Sequence, residues 1–241
     1  MLQKTRAVIL HTIRYGESSL IVHTFTENWG RKAFLLKGVR KSRRSNRPNM
    51  YQPLFILDLD IYLKESRDLN WIKEAAFAFS SPRFYMDVTK STQAIFLSEM
   101  LIKTLREEER NPEMFTFLVK TIIDLETANQ ASPSYHLLFL FQFSRYLGFY
   151  PMRNFSDDNV FFNTRAGAFT SFLPGTDIEK ERIIGRLWKN AFLSDFQTID
   201  QHIINKDERN LFLDSLLDYY NYHQLSIGEM KSLGVLRTVF E

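Results

Sequence analysis

The spacing of apolar residues changes once along this chain, near residue 80. Before that point they recur every second residue, and after it every three or four. Lys4 to Tyr15 is rich in β-branched and aromatic residues, Gly16 and Glu17 make a turn, and Leu20 to Thr26 predicts a second strand ended by Asn28 and Gly30. Ala33 to Lys37 predicts a third. A long polar stretch follows, entered at Gly38 and left near Pro48 and Pro53. In the next strand Leu57, Leu59, Ile61 and Leu63 alternate with Asp58, Asp60 and Tyr62, which puts the aliphatic side chains on one face and the carboxylates on the other. The fifth predicted strand sets Leu69, Trp71, Ala75, Phe77 and Phe79 on one face, with Lys73 interrupting. Five short strands and one long polar loop point to a small closed barrel, because closure removes unpaired sheet edges.

The remainder reads as helix. Ala94, Leu97, Leu101 and Leu105 share a helical face that runs out in the charged patch Arg106 to Arg110. Asn111 before Pro112, and Ser132 before Pro133, are each a capping residue followed by proline at the first helical position. Leu137 to Leu147, LLFLFQFSRYL, is apolar nearly all round and predicts a buried central helix stopped by Gly148. Tyr150 to Pro174 breaks the pattern, and inside it Val160 to Asn163 and Ala168 to Phe172 flank Thr164 to Gly167 as a β-hairpin. Helical spacing then returns with Ile183, Leu187 and Phe192, next with Leu211, Phe212, Leu216 and Tyr219, and last with Met230, Leu233, Leu236 and Phe240. The expected class is α+β in two domains: a barrel over residues 1–80 and a mainly helical domain over 81–241, with a hairpin insertion at 150–174. The boundary is drawn at Ser80 to Pro82.

Composition narrows the function. The 241 residues are 44% hydrophobic and 24% charged, as in a globular protein of one large or two ordinary domains. With no cysteine the chain has no disulfide, no thiol nucleophile and no thiolate ligand for zinc, and cytoplasmic residence is expected. The apolar run before His11 is too short for a signal peptide, and no stretch approaches the roughly 18 apolar residues of a membrane span. The charge is unevenly spread. No acidic residue lies between Glu27 and Asp58, whereas Arg31, Lys32, Lys37, Arg40, Lys41, Arg43, Arg44 and Arg47 are all basic, and without these eight the chain is net acidic. Such a run is either a polyanion-binding surface, where each neutralised phosphate releases counterions, or a solvated loop that aids solubility.

Catalytic chemistry is hard to assemble. The histidines, His11, His23, His136, His202 and His223, show no metal-ligand spacing, and no glycine-rich phosphate loop is present. Asp58 and Asp60 share a strand face, which suits either an acid–base or metal pair or simply the wet side of a sheet. A barrel of this size can bind single strands along one face, with Tyr15, Phe34, Tyr51 and Phe55 available for stacking. Trp29 is either an exposed stacking residue or a turn residue folded over the barrel end.

The opening AVILHTIRYGESSLIVHTFTENWGRKAFLLKGVRKSRRSN, with QPL at Gln52 to Leu54, resembles the start of the bacterial RecO family of recombination mediators. The matching features are Glu17, the Thr-Glu-x-x-Gly turn at Thr26 to Gly30, and the Lys-Gly-x-Arg entry at Lys37 to Arg40. RYLGFYP at Arg145 to Pro151 and EMKSLGVLRTVF at Glu229 to Phe240 extend the match in the same order. The resemblance implies an N-terminal OB-fold, a helical C-terminal domain, no enzymatic turnover and no cofactor. It implies binding of single- and double-stranded DNA, annealing of complementary strands, and work with RecR and the acidic tail of the single-strand binding protein SSB, so that RecA is loaded on coated DNA at the nucleoid. It assigns DNA binding to Lys37, Arg40, Lys41, Arg43 and Arg44, with Arg31 and Arg47 as weaker additions. Many relatives carry a four-cysteine zinc ribbon after the LGFYP-like segment; here Phe155, Val160, Phe161, Phe162, Phe169 and Phe172 are expected to replace the metal as the hairpin's core. Two other readings stay open: a protein-interaction adaptor acting through the helical domain, and a metal-dependent hydrolase built on Asp58 and Asp60.

Overall fold

The computed structural model describes every residue except 39–47, 65–68, 80–82, 107–108, 174–176, 204, 224–225 and 241. The chain divides into two compact units, Met1–Ala128 and Asn129–Glu241. The boundary drawn from the sequence lies outside the described residues.

In the first unit, five strands close into an OB-like barrel in the order β1-β2-β3-β5-β4: β1 (Leu2–Tyr15), β2 (Ser19–Thr26), β3 (Gly30–Leu36), β4 (Ile56–Tyr62) and β5 (Leu69–Phe77). All pairings are antiparallel apart from β3 with β5. Val8, Val22, Phe34, Leu57, Leu59 and Ile61 are buried, as the alternating pattern requires. β1 is long enough to serve two neighbours. Its residues from Leu2 pair with β4 and those to Tyr15 pair with β2, with a bulge between Ile9 and His11 at the changeover. There the Leu54 amide donates to the Ile9 carbonyl at 2.7 Å, and the Ile9 amide donates to the Phe55 carbonyl at 2.8 Å. Leu54 accepts a left-handed backbone, φ 61°, to complete this clasp, and its side chain is buried.

β5 departs from the expected face. Asp60 pairs with Glu74 but Ile61 pairs with Ile72, so Lys73 is an extra residue. Because a one-residue slip exchanges the two faces, Asn70 and Ile72 point into the barrel before the bulge and Trp71 points out. Beyond it Ala75 and Phe77 are half-buried.

Two helices complete this unit: α1 (Val88–Thr104), capped by the Asp87 carboxylate, and α2 (Pro112–Thr127), capped by Asn111 accepting from the Met114 amide at 3.0 Å. Ser98 on α1 donates to the Leu10 carbonyl in the β1 bulge. Lys90, buried on α1, donates to the carbonyls of Glu126 at 2.9 Å and Ala128 at 2.5 Å, so its ammonium closes the end of α2.

The second unit contains α3 (Tyr135–Phe143), the strands β6 (Phe161–Asn163) and β7 (Ala168–Thr170), then α4 (Ile178–Leu193), α5 (Ile199–His202), α6 (Lys206–Tyr222) and α7 (Leu233–Val239). α3 is the buried helix the apolar run predicts, but it starts after Ser134 and ends at Phe143. Turns carry the chain from Ser144 to Gly148, whose φ of 85° needs glycine. The β6–β7 hairpin sits on α4. Phe162 stacks on Trp188 with centroids 3.9 Å apart and meets Phe169 at 5.2 Å and Tyr219 at 5.9 Å. Asn154 braces β7 from outside, accepting from the Phe169 amide at 2.8 Å and donating to its carbonyl at 2.9 Å. Gly185 lets α4 approach: a Cβ there would lie 1.9 Å from the Val160 carbonyl oxygen. Phe161, Phe162 and Phe169 are buried as expected, Phe155 and Val160 are half-buried, and Phe172, expected in the core, is 68% exposed because β7 ends before it.

Candidate nucleic-acid interface

β3 carries the first cations of the basic segment, Arg31 and Lys32, on the barrel wall. Gly38, at φ 70°, adopts the left-handed turn that releases the chain from the strand. Arg31 and Lys37 lie at opposite ends. At the start, Arg31 Nη1 donates to the carbonyls of Ile102 at 3.1 Å and Leu105 at 2.5 Å, where the end of α1 leaves carbonyl groups without helical donors. That guanidinium therefore helps to hold α1 on the barrel. Just past the strand's end, Lys37 is exposed, and its ammonium lies 4.3 Å from the centroid of the Trp71 ring. The other predicted DNA-binding residues, Arg40, Lys41, Arg43, Arg44 and Arg47, lie outside the described residues.

On the β1–β4 wall two cations face carboxylates. Lys4 and Arg6 of β1 stand opposite Asp60 and Asp58 of β4 in register, at 3.6 Å and 3.2 Å. This ladder accounts for the alternating aspartates as the wet side of a sheet. Among the described residues, no group of three or more His, Asp or Glu side chains is gathered as for a metal ion. His11 and His23 stack across β1 and β2 with centroids 6.5 Å apart. Burial, then the Arg31 charge and the neighbouring His11, hold His23 below the usual imidazole range, so it favours the neutral form.

The stacking candidates separate by burial. Phe34, Tyr51 and Phe55 belong to the core, whereas Tyr15 is exposed at the end of β1. Trp29 is a half-buried turn residue whose amide donates to Thr26 Oγ1 at 3.0 Å. Two aromatic residues that the sequence reading left out of this set, Tyr62 and Trp71, are exposed side by side on β4 and β5. The available signal was Lys73 itself: a charge interrupting an apolar face marks where a bulge reverses it.

A ribbon-type zinc site does not fit this chain. There is no cysteine, and the space between β6, β7 and α4 is filled by Phe162, Phe169 and Trp188.

A family profile described as recombination protein O N terminal matches residues 1–80, and one described as recombination protein O C terminal matches residues 86–158. The chain is 34% identical to the DNA repair protein RecO of Flavobacterium psychrophilum, over 98% of both chains. It is 33% identical to that of Christiangramia forsetii and 31% identical to that of Phocaeicola vulgatus, in each case over the full length of both.

Proposed function

The chain belongs to the RecO family of DNA repair and recombination proteins, and on that footing we propose that it is a DNA-binding recombination mediator without enzymatic turnover. It binds single- and double-stranded DNA through Lys37, Arg40, Lys41, Arg43 and Arg44, with Arg31 and Arg47 contributing less. It anneals complementary strands and, with RecR and the acidic tail of SSB as partners, helps RecA onto SSB-coated DNA.

The observation that carries this reading is the imbalance of charge. Arg31 and Lys32 on β3 and the six cations from Lys37 to Arg47 form a run without an acid, whereas the β1–β4 wall of the same barrel matches Lys4 and Arg6 with Asp60 and Asp58. A run of like charge attracts phosphates, and neutralising phosphates lowers the repulsion between two strands that must meet. An annealing protein needs nothing further in the way of covalent chemistry.

The test is annealing of SSB-coated complementary strands by the wild type and by the variant Arg40→Ala, Lys41→Ala, Arg43→Ala, Arg44→Ala. Single-strand affinity should fall steeply with salt in the wild type, with a log–log slope of about −0.7 per phosphate contacted, and the variant should lose most of that slope and most of the annealing. Unchanged binding and annealing would reduce the segment to a solubility device. An adaptor acting through the helical unit would bind partners yet fail to accelerate annealing.

A further inference from the structure

We propose that Trp71 and Tyr62 form a base-stacking site for single-stranded nucleic acid on the outer wall of the barrel, with Lys37 placed to take an adjoining phosphate. The inference rests on the DNA-binding reading and extends it from phosphates to bases.

The strand register assembles the site. Leu35 of β3 pairs with Trp71 of β5, Trp71 with Tyr62 of β4, and Tyr62 with Leu2 of β1, so these four residues form one row across the sheet. Leu35 is nearly covered, but Trp71 is 40%, Tyr62 47% and Leu2 45% exposed. Two large rings adjacent on a sheet exterior present flat apolar surface to solvent, which a base can cover from any sequence because every base has a π-face. The outward direction of Trp71 is built in by the Lys73 bulge, since the uninterrupted alternation of β5 would have turned this ring into the barrel.

The charges around the row fit a polyanion. Lys37 sits over the Trp71 ring, Lys64 follows β4 two residues past Tyr62, and Lys73 follows Trp71 on β5. Lys64 is held there because its amide donates to the buried Asn70 side chain at 2.8 Å. Asp60, the nearest acid of β4, is turned to Lys4, and Glu74 lies 4.0 Å from Lys73. An exposed cation–π contact is weaker than base stacking on the same ring, so a base can displace the Lys37 ammonium towards the phosphate. The row also begins at β3, the strand that Lys37 follows.

The experiment compares binding of an oligothymidylate with that of an abasic oligodeoxyribose phosphate of equal length. Trp71→Ala and Tyr62→Ala should each weaken oligothymidylate binding about 5- to 150-fold, with the abasic oligomer and the salt slope unaffected. Trp71→Phe should recover most of the loss, which a merely supportive role for the indole would not explain. Equal losses on both oligomers would overturn the stacking site and leave Trp71 as a brace for Lys37. Unaltered binding of both, with loss of a protein partner, would overturn it in favour of a protein-docking row. If the wild type binds neither oligomer, the DNA-binding reading itself falls.

Discussion

The chain holds two small β-structures by opposite means. The barrel closes on itself: each strand has two hydrogen-bonded neighbours, its apolar side chains fill its own interior, and its outer wall is left for charges and exposed rings. The β6–β7 hairpin has three residues per strand and no interior of its own, so it is held by Trp188 of α4 and Tyr219 of α6. The difference frees the outer wall from packing in the first case and leaves the hairpin dependent on the helices in the second. Exterior residues of the barrel can be changed to read out binding, whereas a change in the hairpin reads out the helical unit.

The largest effect that would sharpen this contrast is expected from Phe162→Ala. Removing a buried ring stacked on Trp188 should cost about 3–5 kcal/mol in denaturant unfolding, as much as a central barrel residue; a loss under about 1 kcal/mol would show a hairpin that stands alone. Gly185→Ala comes next, with about 1–3 kcal/mol expected, because the backbone carbonyl of Val160 cannot yield as a flexible side chain could. Wild-type stability would mean that α4 and β6 separate freely.

A third effect is acid sensitivity. Burial, and then the charge of Arg209, push the His136 imidazole down to about 3 from the ordinary 6.5. The folded form therefore holds His136 neutral while the unfolded chain takes up a proton as the pH falls below about 6.5. This contribution is intact above that value and is lost on going towards pH 3, by about 2 kcal/mol between pH 6.5 and 5.0. His136→Gln should flatten the acid limb of a stability–pH curve; an equally steep limb would place the sensitivity elsewhere. The smallest effect belongs to the barrel wall. Asp58→Ala removes an exposed partner of Arg6 and should change stability by less than about 1 kcal/mol. A larger loss would mean that the wall is structural after all.

Much of this was legible in the sequence because local rules and tertiary demands agree. Alternation in Leu57, Leu59 and Ile61 gave the inner face of β4, and Asn111 with Pro112 gave the start of α2. The failures fall where a tertiary partner decides. Trp71 reads as core until the bulge at Lys73 is counted against β4. On α4 the spacing suggested Ile183, Leu187 and Phe192; Leu187 is buried and Phe192 meets Phe155 and Phe169, but Ile184 and Trp188 are buried where Ile183 was expected. An apolar face shows that a helix is covered without showing by what; α1 and α2 lie in the compact unit Met1–Ala128. Arg31 reads as one more cation of a basic run, and only the fold reveals carbonyl partners more than 70 residues along the chain. For the candidate site, sequence and structure are complementary: the charge run located the segment, and the register located the rings beside it.

β1 also bears on how the barrel assembles. Ala7 meets Thr26 on one side after a short hairpin, but meets Leu57 on the other only once the chain has run through the whole basic segment. Local contacts form quickly and distant ones wait on loop closure, so the β1–β2–β3 meander is expected to precede the pairing of β1 with β4. That late step must gather the six like charges between β3 and β4 within the closing loop, and dissolved salt screens their repulsion. Ionic strength should therefore speed the final closure of the barrel while weakening the DNA binding proposed for it.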